Sequence, residues 1–339
     1  MSVTSLPSET TNKTALALRG ILTVLGPFLG LIAVSGFFAW QTGDRATFLS
    51  SENWRTIVVQ TVVVGIAALG MTLVMISGGI DLSIGSAAAL VTVLVAWLVR
   101  DYHVSMPLAM LAGVIAGGLC GLFNGALITV LGVVPFIVTL GSLKIFRGLA
   151  SWLADRTQVY VEGASKPHWL DGVLTMGAPS PSWLIVAPGV WVMLGLALIL
   201  VLTLRYTILG RYLYAVGSSE PTAKLCGINV PGVKLLVYSL AGLATGLAGV
   251  MQFVELSAQG DPGVADGLEL RAIAAVVIGG GSLSGGEGTV LGTLIGSLIM
   301  SVLYNGCVHA GYGSDKRDMI VGAIIVAAVL IDRLRRKSR

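Results

Sequence analysis

The sequence predicts an all-α, polytopic membrane protein with about ten transmembrane helices, some of them short or broken. Of its 339 residues, 55% are apolar and only 11% are charged, whereas an ordinary soluble domain carries about 25% charged residues. Apolar runs long enough to cross about 30 Å of hydrocarbon recur along the whole chain. No polar stretch between them is long enough to fold separately, so one transmembrane domain is expected.

The predicted spans lie in one domain, residues 19–332, between a polar cytoplasmic tail at residues 1–18 and a basic tail at residues 333–339. The first run is too long for the apolar core of a signal peptide and is expected to be retained. The eighth and tenth runs are short, and the eighth is expected to be broken or tilted. In order, the runs are Ile21–Trp40, Ile57–Ser77, Gly85–Val99, Pro107–Leu131, Pro135–Leu153, Trp183–Leu204, Leu235–Ser257, Arg271–Gly281, Thr289–Cys307 and Met319–Ile331.

Positive charge predicts the orientation of these spans. The basic tail directly follows the last span, and four further basic residues lie in the interior loop 205–234, namely Arg205, Arg211, Lys224 and Lys234. An even number of spans places both clusters on one side, which the positive-inside rule assigns to the cytoplasm. Both termini are therefore expected in the cytoplasm.

Several other classes of protein find little support. Cys120, Cys226 and Cys307 lack metal-ligand spacing and are expected to act as small hydrophobic residues. The three histidines show no ligand spacing either, so neither a metal nor a catalytic site is expected. A net charge of +4 is too small to suggest nucleic acid. The chain contains no Gly-x-x-x-x-Gly-Lys-[Ser/Thr] loop for ATP phosphates.

Glycines recur at intervals that place them on one face of a predicted helix. In lipid, such faces allow helix backbones to approach closely, because no hydrophobic gain drives helices together there. Close packing is therefore expected at Gly113, Gly117, Gly121 and Gly125 in the fourth span and at Gly242, Gly246 and Gly249 in the seventh.

Two further glycine-rich segments, Ser77–Ser86 and Gly279–Gly286, interrupt apolar stretches and share a Gly-Gly-x-x-Leu-Ser pattern. Helix breaks in corresponding places of two halves point to a transport pathway. Non-helical backbone at membrane depth also requires protein or water to satisfy its polar groups. The alternative is a pair of ordinary cytoplasmic turns. The residues expected to form the breaks are Gly78, Gly79, Asp81, Ser83, Gly279, Gly280, Ser284 and Gly285.

The stretch Gly65–Ser83 resembles the ribose/xylose-type, or monosaccharide, permeases of ABC importers, as do residues 134–141, 145–150, 215–228 and 272–280 in the same order. The resemblance implies a non-enzymatic translocation subunit in the bacterial inner membrane, for ribose or a related sugar. It also implies a second permease copy or paralogue and a periplasmic sugar-binding protein. A cytoplasmic ATPase dimer would bind ATP and Mg²⁺, and no cofactor is expected in this chain.

The resemblance places the contact with the ATPase in the loop 205–234. Local signals there predict a short helix that Ser219 caps and Gly227 ends, with Glu220 and Pro221 in its first turn. Such a helix is suited to dock into a cleft on an ATPase and to transmit its motion as a rigid lever. The alternative is a solvated loop. The expected coupling residues are Gly217, Glu220, Ala223, Lys224 and Gly227.

Charged side chains near the bilayer are functional candidates because their burial is costly. Asp81, with Ser83, is expected to organise the first break by capping the helix that follows. Lys144 and Arg147 lie three residues apart and therefore on one face of the fifth span. Their expected partners are Asp81, Glu269 or an aqueous cavity.

Arg271 and Glu287 depart from the family pattern, which implies an acid at the first position and a base at the second. The two departures change the charge in opposite directions, so the sequence leaves open that one compensates for the other.

Polar, charged and aromatic residues in or beside the spans are the candidates for a solute pathway. They are Asn124, Phe136, Thr139, Arg147, Gln252 and Glu269. The alternative solutes are nucleosides, furanoses, autoinducer-type sugars and branched-chain amino acids. A different class, the ion-coupled secondary carrier, would favour buried acids at several mid-span positions, and few stand out here.

Overall fold

The computed structural model describes residues 9–161, 166–177 and 184–337. Parts of both predicted tails, part of the loop before the sixth span, and Trp183 at the start of that span lie outside these ranges. The described residues form fourteen helices and one two-stranded antiparallel sheet. The all-α, polytopic fold predicted from the sequence is confirmed.

The elements follow one another along the chain with short connections. They are α1 (Glu9–Gln41), α2 (Arg45–Phe48), α3 (Ser51–Ile76), α4 (Ile84–Tyr102), α5 (Met106–Val130), α6 (Pro135–Leu153), β1 (Val159–Tyr160), α7 (Leu170–Val173), α8 (Pro188–Tyr206), α9 (Ile208–Ser218), α10 (Glu220–Leu225), α11 (Val230–Glu255), β2 (Gln259–Gly260), α12 (Leu268–Ile278), α13 (Val290–His309) and α14 (Ser314–Lys337).

Seven of the described helices are long and apolar enough to cross a membrane, namely α3, α4, α5, α6, α8, α11 and α13. The segment Leu25–Gln41 of α1 is a shorter apolar helix. With 11 residues, α12 is only about 16 Å long at 1.5 Å per residue. This confirms that the eighth predicted span is short.

The two ends of the chain differ from the predicted boundaries. Helix α1 begins at Glu9, inside the predicted N-terminal tail. Helix α14 has 24 residues and continues past the predicted end of the tenth span into the basic tail. The C-terminal boundary carries no glycine or proline stop signal, so α14 continues where polarity alone suggested an end.

Glycines bring α5 and α11 into backbone contact, as their spacing predicted. A Cβ on Gly117 would lie 2.5 Å from the nitrogen of Gly246, and one on Gly121 would lie 2.8 Å from the Cα of Gly242. Helix α3 is the most buried of the seven spanning helices and forms the centre of the core.

The bundle has two distinct ends. At the first, α9 and α10 connect α8 to α11, and we call this the α10 end. At the second, β1 and β2 form an antiparallel pair in which Val159 faces Gly260 and Tyr160 faces Gln259. We call this the sheet end. Helices α3 and α12 end at the α10 end, and α11 ends at the sheet end.

Candidate functional site

The first predicted helix break is a glycine-terminated helix end. Helix α3 stops at Ile76, and Gly78 follows with a φ of 80° that favours glycine. The Gly78 N–H donates to the carbonyl of Met75 (2.9 Å), and the Gly79 N–H donates to that of Val74 (3.0 Å). This pair of bonds is the Schellman motif, which satisfies the last carbonyls of a helix.

The second predicted break repeats this arrangement at the end of α12. Gly280 has a φ of 91°, and its N–H donates to Val277, while the Gly281 N–H donates to Val276. Both segments are therefore helix ends of one type. In conformation Gly78 corresponds to Gly280, one residue later than the shared Gly-Gly-x-x-Leu-Ser pattern aligns it.

Asp81 organises the chain between the first break and α4. Its carboxylate Oδ1 accepts from the Ser83 N–H (2.8 Å) and from the Ser83 hydroxyl (2.7 Å). Ser83 is the N-terminal cap residue of α4, but its side chain makes no capping bond, contrary to expectation. That hydroxyl is instead engaged by Asp81 and by the Asn124 amide, which donates to it at 2.8 Å.

The first break lies inside the protein rather than in a surface turn. Asp81 is only 3% exposed, and Asn124 and Thr139 are fully buried. The carbonyl oxygen of Ile80 accepts from the hydroxyls of Thr139 (3.3 Å) and Tyr238 (3.5 Å). Protein groups thus satisfy this non-helical backbone, as burial at membrane depth requires.

The two breaks meet each other at the end of α9. The Gly286 N–H donates to the carbonyl oxygen of Ile76 at 2.9 Å. A Cβ on Gly217 would overlap that oxygen and lie 2.6 Å from the Gly286 nitrogen. A Cβ on Gly285 would lie 2.8 Å from the Cα of Gly78. We call these four residues, Gly78, Gly217, Gly285 and Gly286, the glycine junction.

The short helix predicted in the loop 205–234 is present as α10. Ser219 caps it through its hydroxyl, which accepts from the Thr222 N–H, and Gly227 follows its end with a φ of 79°. Ala223, one of the expected coupling residues, is buried and therefore anchors the helix. Lys224 is exposed, as expected for a residue that contacts a partner.

Sequence reasoning missed the most exposed apolar side chain of α10. Leu225 is 89% exposed, beside Cys226, which is exposed as well. An apolar residue in a charged loop was the available signal. Of the three cysteines, which were expected to act as small hydrophobic residues, Cys120 and Cys307 are buried and Cys226 is exposed.

Glu220 fastens α10 to the start of α11. Its carboxylate lies 2.6 Å from the Lys234 ammonium and 3.1 Å from that of Lys224. The hydrogen bond from Lys234, followed by that from Lys224, holds the pKa of Glu220 below its ordinary value of 4.5. Lys234 is the less exposed of the two partners, so it provides the firmer attachment.

At the sheet end, Arg147 holds the loop between β2 and α12. It donates from Nη1 to the carbonyl oxygens of Pro262 (2.8 Å) and Val264 (2.7 Å), and its Nη2 lies 3.8 Å from Asp266. Its contacts are thus with this loop rather than with Asp81, and it lies close enough to Glu269, the other carboxylate that the sequence left open, to interact with it electrostatically. Lys144, one turn earlier on α6, is exposed.

A cavity of about 290 Å³ lies next to this loop, between α3, α11, α12 and α13. One predicted pathway residue, Gln252, lines it, together with Arg271. Glu269 lies in the first turn of α12 and is buried. The remaining polar residues of the wall were not predicted, since they come from helices far apart in sequence. They are Gln60, Glu255, Ser301 and Tyr304.

The other expected site residues are distributed over separate places. Asn124 and Thr139 lie at the first break, and Phe136 is about half exposed on α6. Arg271 lies in the first turn of α12 near Glu255 and Glu269, whereas Glu287 follows the second break at the other end of α12. The fold therefore separates Arg271 from Glu287 by most of the length of that helix.

The described residues contain no group of three or more His, Cys, Asp or Glu side chains placed to hold a metal ion.

The known proteins to which this chain is similar are permeases of transport systems. Residues 53–329 match the family described as the permease component of branched-chain amino acid transport systems. The ribose import permease protein of Escherichia coli strain K12 is 37% identical over 307 residues, which cover 89% of this chain and 92% of that protein. Its counterpart in Bacillus subtilis strain 168 is 38% identical over 316 residues, or 93% and 94% of the two chains.

A third relative is the L-arabinose ABC transporter permease protein of Azospirillum brasilense. It is 35% identical over 294 residues, which cover 86% of this chain and 83% of that protein. No solved structure matches the chain.

Proposed function

The chain belongs to the permease family of branched-chain amino acid transport systems, and on that premise we propose that it is the membrane-spanning subunit of an ATP-driven importer for a monosaccharide. The observation that carries the proposal is 37% identity to a ribose import permease over 89% of the chain. As a permease component, the chain moves the solute and leaves ATP hydrolysis to a partner. ATP and Mg²⁺ would bind to that partner.

The relatives favour a sugar over the amino acids after which the family is described. The three similar proteins above are permeases for ribose or L-arabinose, and a further one, at 35% identity, is a D-allose permease of Escherichia coli strain K12. We therefore propose ribose or a related neutral monosaccharide as the solute. Nucleosides, autoinducer-type sugars and branched-chain amino acids are the competing solutes for an uptake assay.

We assign the contact with the cytoplasmic ATPase dimer to α10. Its exposed face combines the charge of Lys224 with the apolar side chain of Leu225, and its other face is anchored by Ala223 and Glu220. A small helix fixed in this way moves as a rigid unit with the elements behind it. Gly217, three residues before the start of α10, contacts both helix breaks, so displacement of α10 would reach α3 and α12 directly.

The assignment of α10 also fixes the proposed orientation. The α10 end then faces the cytoplasm of a bacterial inner membrane, with both termini on that side. The sheet end faces outward, where a periplasmic sugar-binding protein would dock. Helices α5, α6 and α8 leave most of their surface uncovered within one chain, which suits contact with lipid and with a second permease copy or a paralogue.

The test is co-expression of the chain with the ATPase and binding-protein genes next to its own, followed by purification through a tag on the permease. We expect the ATPase to co-purify, and its activity in liposomes to rise when D-ribose-loaded binding protein is added. Stimulation by an amino acid-loaded binding protein instead would replace the sugar assignment. Solute movement by the purified chain alone, driven by an ion gradient, would refute the importer assignment.

A further inference from the structure

We propose that the cavity between α3, α11, α12 and α13 is a binding site for one neutral, polyhydroxylated solute within a single subunit. The proposal rests on the proposed function only for its choice of monosaccharide probes. The cavity measures about 290 Å³, which is close to the lower limit of about 300 Å³ for small-molecule sites. A single monosaccharide is therefore a suitable occupant in size.

The wall of the cavity offers groups that bind hydroxyls. Two amides and two hydroxyls face the same space, from Gln60, Gln252, Ser301 and Tyr304. Amide and hydroxyl groups can donate and accept, as the hydroxyls of a sugar do. Apolar side chains complete the wall, as is usual for small-molecule sites with a few orienting polar groups. They are Val63, Val64, Val264, Ala265, Met300 and Val321.

One of these polar groups lacks a partner in the protein. The amide oxygen Oε1 of Gln60 is buried and accepts no hydrogen bond. Leaving a buried acceptor unsatisfied is costly, so a hydroxyl donor in the cavity would remove that cost. Gln252, by contrast, already donates from its Nε2 to Glu255 at 2.9 Å, which fixes the orientation of its amide.

The charges of the wall favour a neutral solute over an anion. Arg271 is accompanied by Glu255 in the wall and by Glu269 close by, and Arg317 lies over the ring of Tyr304, 4.1 Å from its centroid. Two acids and two bases thus offset each other before any ligand arrives. A phosphate or carboxylate ligand would unbalance this set and meet repulsion from the acids, since like charges at short range disfavour each other.

The loop between β2 and α12 connects this cavity to the first helix break. Val264 and Ala265 form part of the wall, and Arg147 holds the Val264 carbonyl at 2.7 Å. The backbone of Ala265 also packs directly on Gly85 in the first turn of α4, where a Cβ would overlap its carbonyl oxygen. A solute that displaces the loop would therefore press on α4 immediately after the first break. Arg147 acts here as a positioning residue for the loop.

A thiol-protection experiment on the full chain in lipid nanodiscs tests the site. Ser301→Cys places a thiol of similar size in the wall, and its reaction with methyl methanethiosulfonate is followed by peptide mass spectrometry. Exposed Cys226 in the same molecule serves as an internal reference. We expect D-ribose to slow modification at position 301 severalfold and to leave Cys226 unaffected. D-ribose 5-phosphate, an anion, is expected to protect less.

Two double variants form a test and its control. Both carry Ser301→Cys, the first together with Gln60→Leu and the second together with Thr61→Val at the neighbouring position on α3. Thr61 is buried, does not line the cavity, and bonds only its own helix at the Ile57 carbonyl. Gln60→Leu should raise the ribose concentration needed for protection about five- to tenfold, as expected for one hydrogen bond of about 1 kcal/mol or slightly more. Thr61→Val should leave it unchanged.

Arg147→Lys tests the positioning role separately. It is expected to weaken protection by D-ribose and to increase hydrogen exchange in the loop 261–267, a readout that loss of the sugar site alone would not move.

Failure of this proposal is distinguishable from failure of the proposed function. If the complete importer takes up ribose but D-ribose, L-arabinose and D-glucose all fail to slow modification at position 301, the cavity is not a solute site. Stronger protection by D-ribose 5-phosphate would overturn the choice of a neutral ligand. If ribose protects but the importer transports only an amino acid, the proposed function fails while the cavity site stands.

Discussion

Replacing Gly217 by alanine tests whether the glycine junction carries motion between α10 and the helix breaks. Gly217 lies in the last turn of α9, immediately before α10. An added methyl group would overlap the carbonyl oxygen of Ile76 and lie 2.6 Å from the nitrogen of Gly286. It would therefore disturb the 2.9 Å hydrogen bond that joins the end of α3 to the second break.

The magnitude follows from two opposing effects. Glycine to alanine inside a helix normally favours folding by about 1 kcal/mol. Overpacking of a close contact typically costs about 1–3 kcal/mol, and here the neighbours are backbone atoms that cannot rotate away. We therefore expect a net destabilisation of up to about 2 kcal/mol. The functional effect should be larger, because the substitution separates the elements through which α10 acts.

The assay is ATP-driven ribose uptake in liposomes, measured together with ATP hydrolysis and the thermal midpoint of the purified complex. Gly217→Ala should lower ribose uptake per ATP hydrolysed, and it should lower the midpoint. Gly195→Ala on α8 is the matched control, since its Cβ would meet no atom within 4 Å. If Gly217→Ala matched this control in stability and in uptake per ATP, the junction would not transmit motion.

Three further predictions concern α10 and the first break. Leu225→Asp and Lys224→Glu should each reduce co-purification of the ATPase while leaving the amount of permease in the membrane unchanged; undiminished recovery would move the ATPase contact elsewhere. The pKa of Glu220 is lowered from 4.5, so its ionised carboxylate stabilises α10 above that pH. This contribution is lost as the pH falls through the lowered pKa. It amounts to about 1 kcal/mol or less, because the ion pair is partly exposed. The protection of α10 amides from hydrogen exchange, relative to the intrinsic exchange rate at each pH, should therefore decrease in acid. Glu220→Gln should remove that dependence, and an equal loss of protection in both proteins would contradict the pairing. Asp81→Ala leaves the buried donors of Ser83 without an acceptor and should lower unfolding free energy by about 1–3 kcal/mol in denaturant titration, whereas no loss would show that other groups satisfy them.

Much of the local structure could be predicted from short sequence signals. The helix α10 follows from a serine cap, a proline in the first turn and a terminal glycine, all within nine residues. The two breaks follow from glycine pairs, and the close packing at one face of α5 and at one face of α11 follows from the regular spacing of their glycines. In each case, the physical cause lies in backbone geometry that only a few residue types permit.

The contacts between distant segments could not be predicted in the same way. Gly217 was expected to serve coupling, and Gly285 was expected to form a break, but nothing in either segment indicates that they touch. Likewise, the wall of the cavity draws Gln60 and Tyr304 from helices more than two hundred residues apart. Such proximity depends on how the helices pack, which a single sequence does not encode in any local pattern.

Burial shows which face of α10 is covered. Ala223, one of the expected coupling residues, is buried against the protein, whereas Leu225, two positions later, is the exposed apolar residue. A helix of six residues is too short for periodicity to show which face is covered.

The most direct test of the proposed function is uptake of radiolabelled D-ribose into liposomes that contain the permease and its ATPase, with binding protein outside and ATP inside. We expect uptake that requires all three proteins and ATP, and that persists when ionophores dissipate every ion gradient. Uptake that continues without the ATPase and stops with the ionophores would refute the importer assignment and identify an ion-coupled carrier instead.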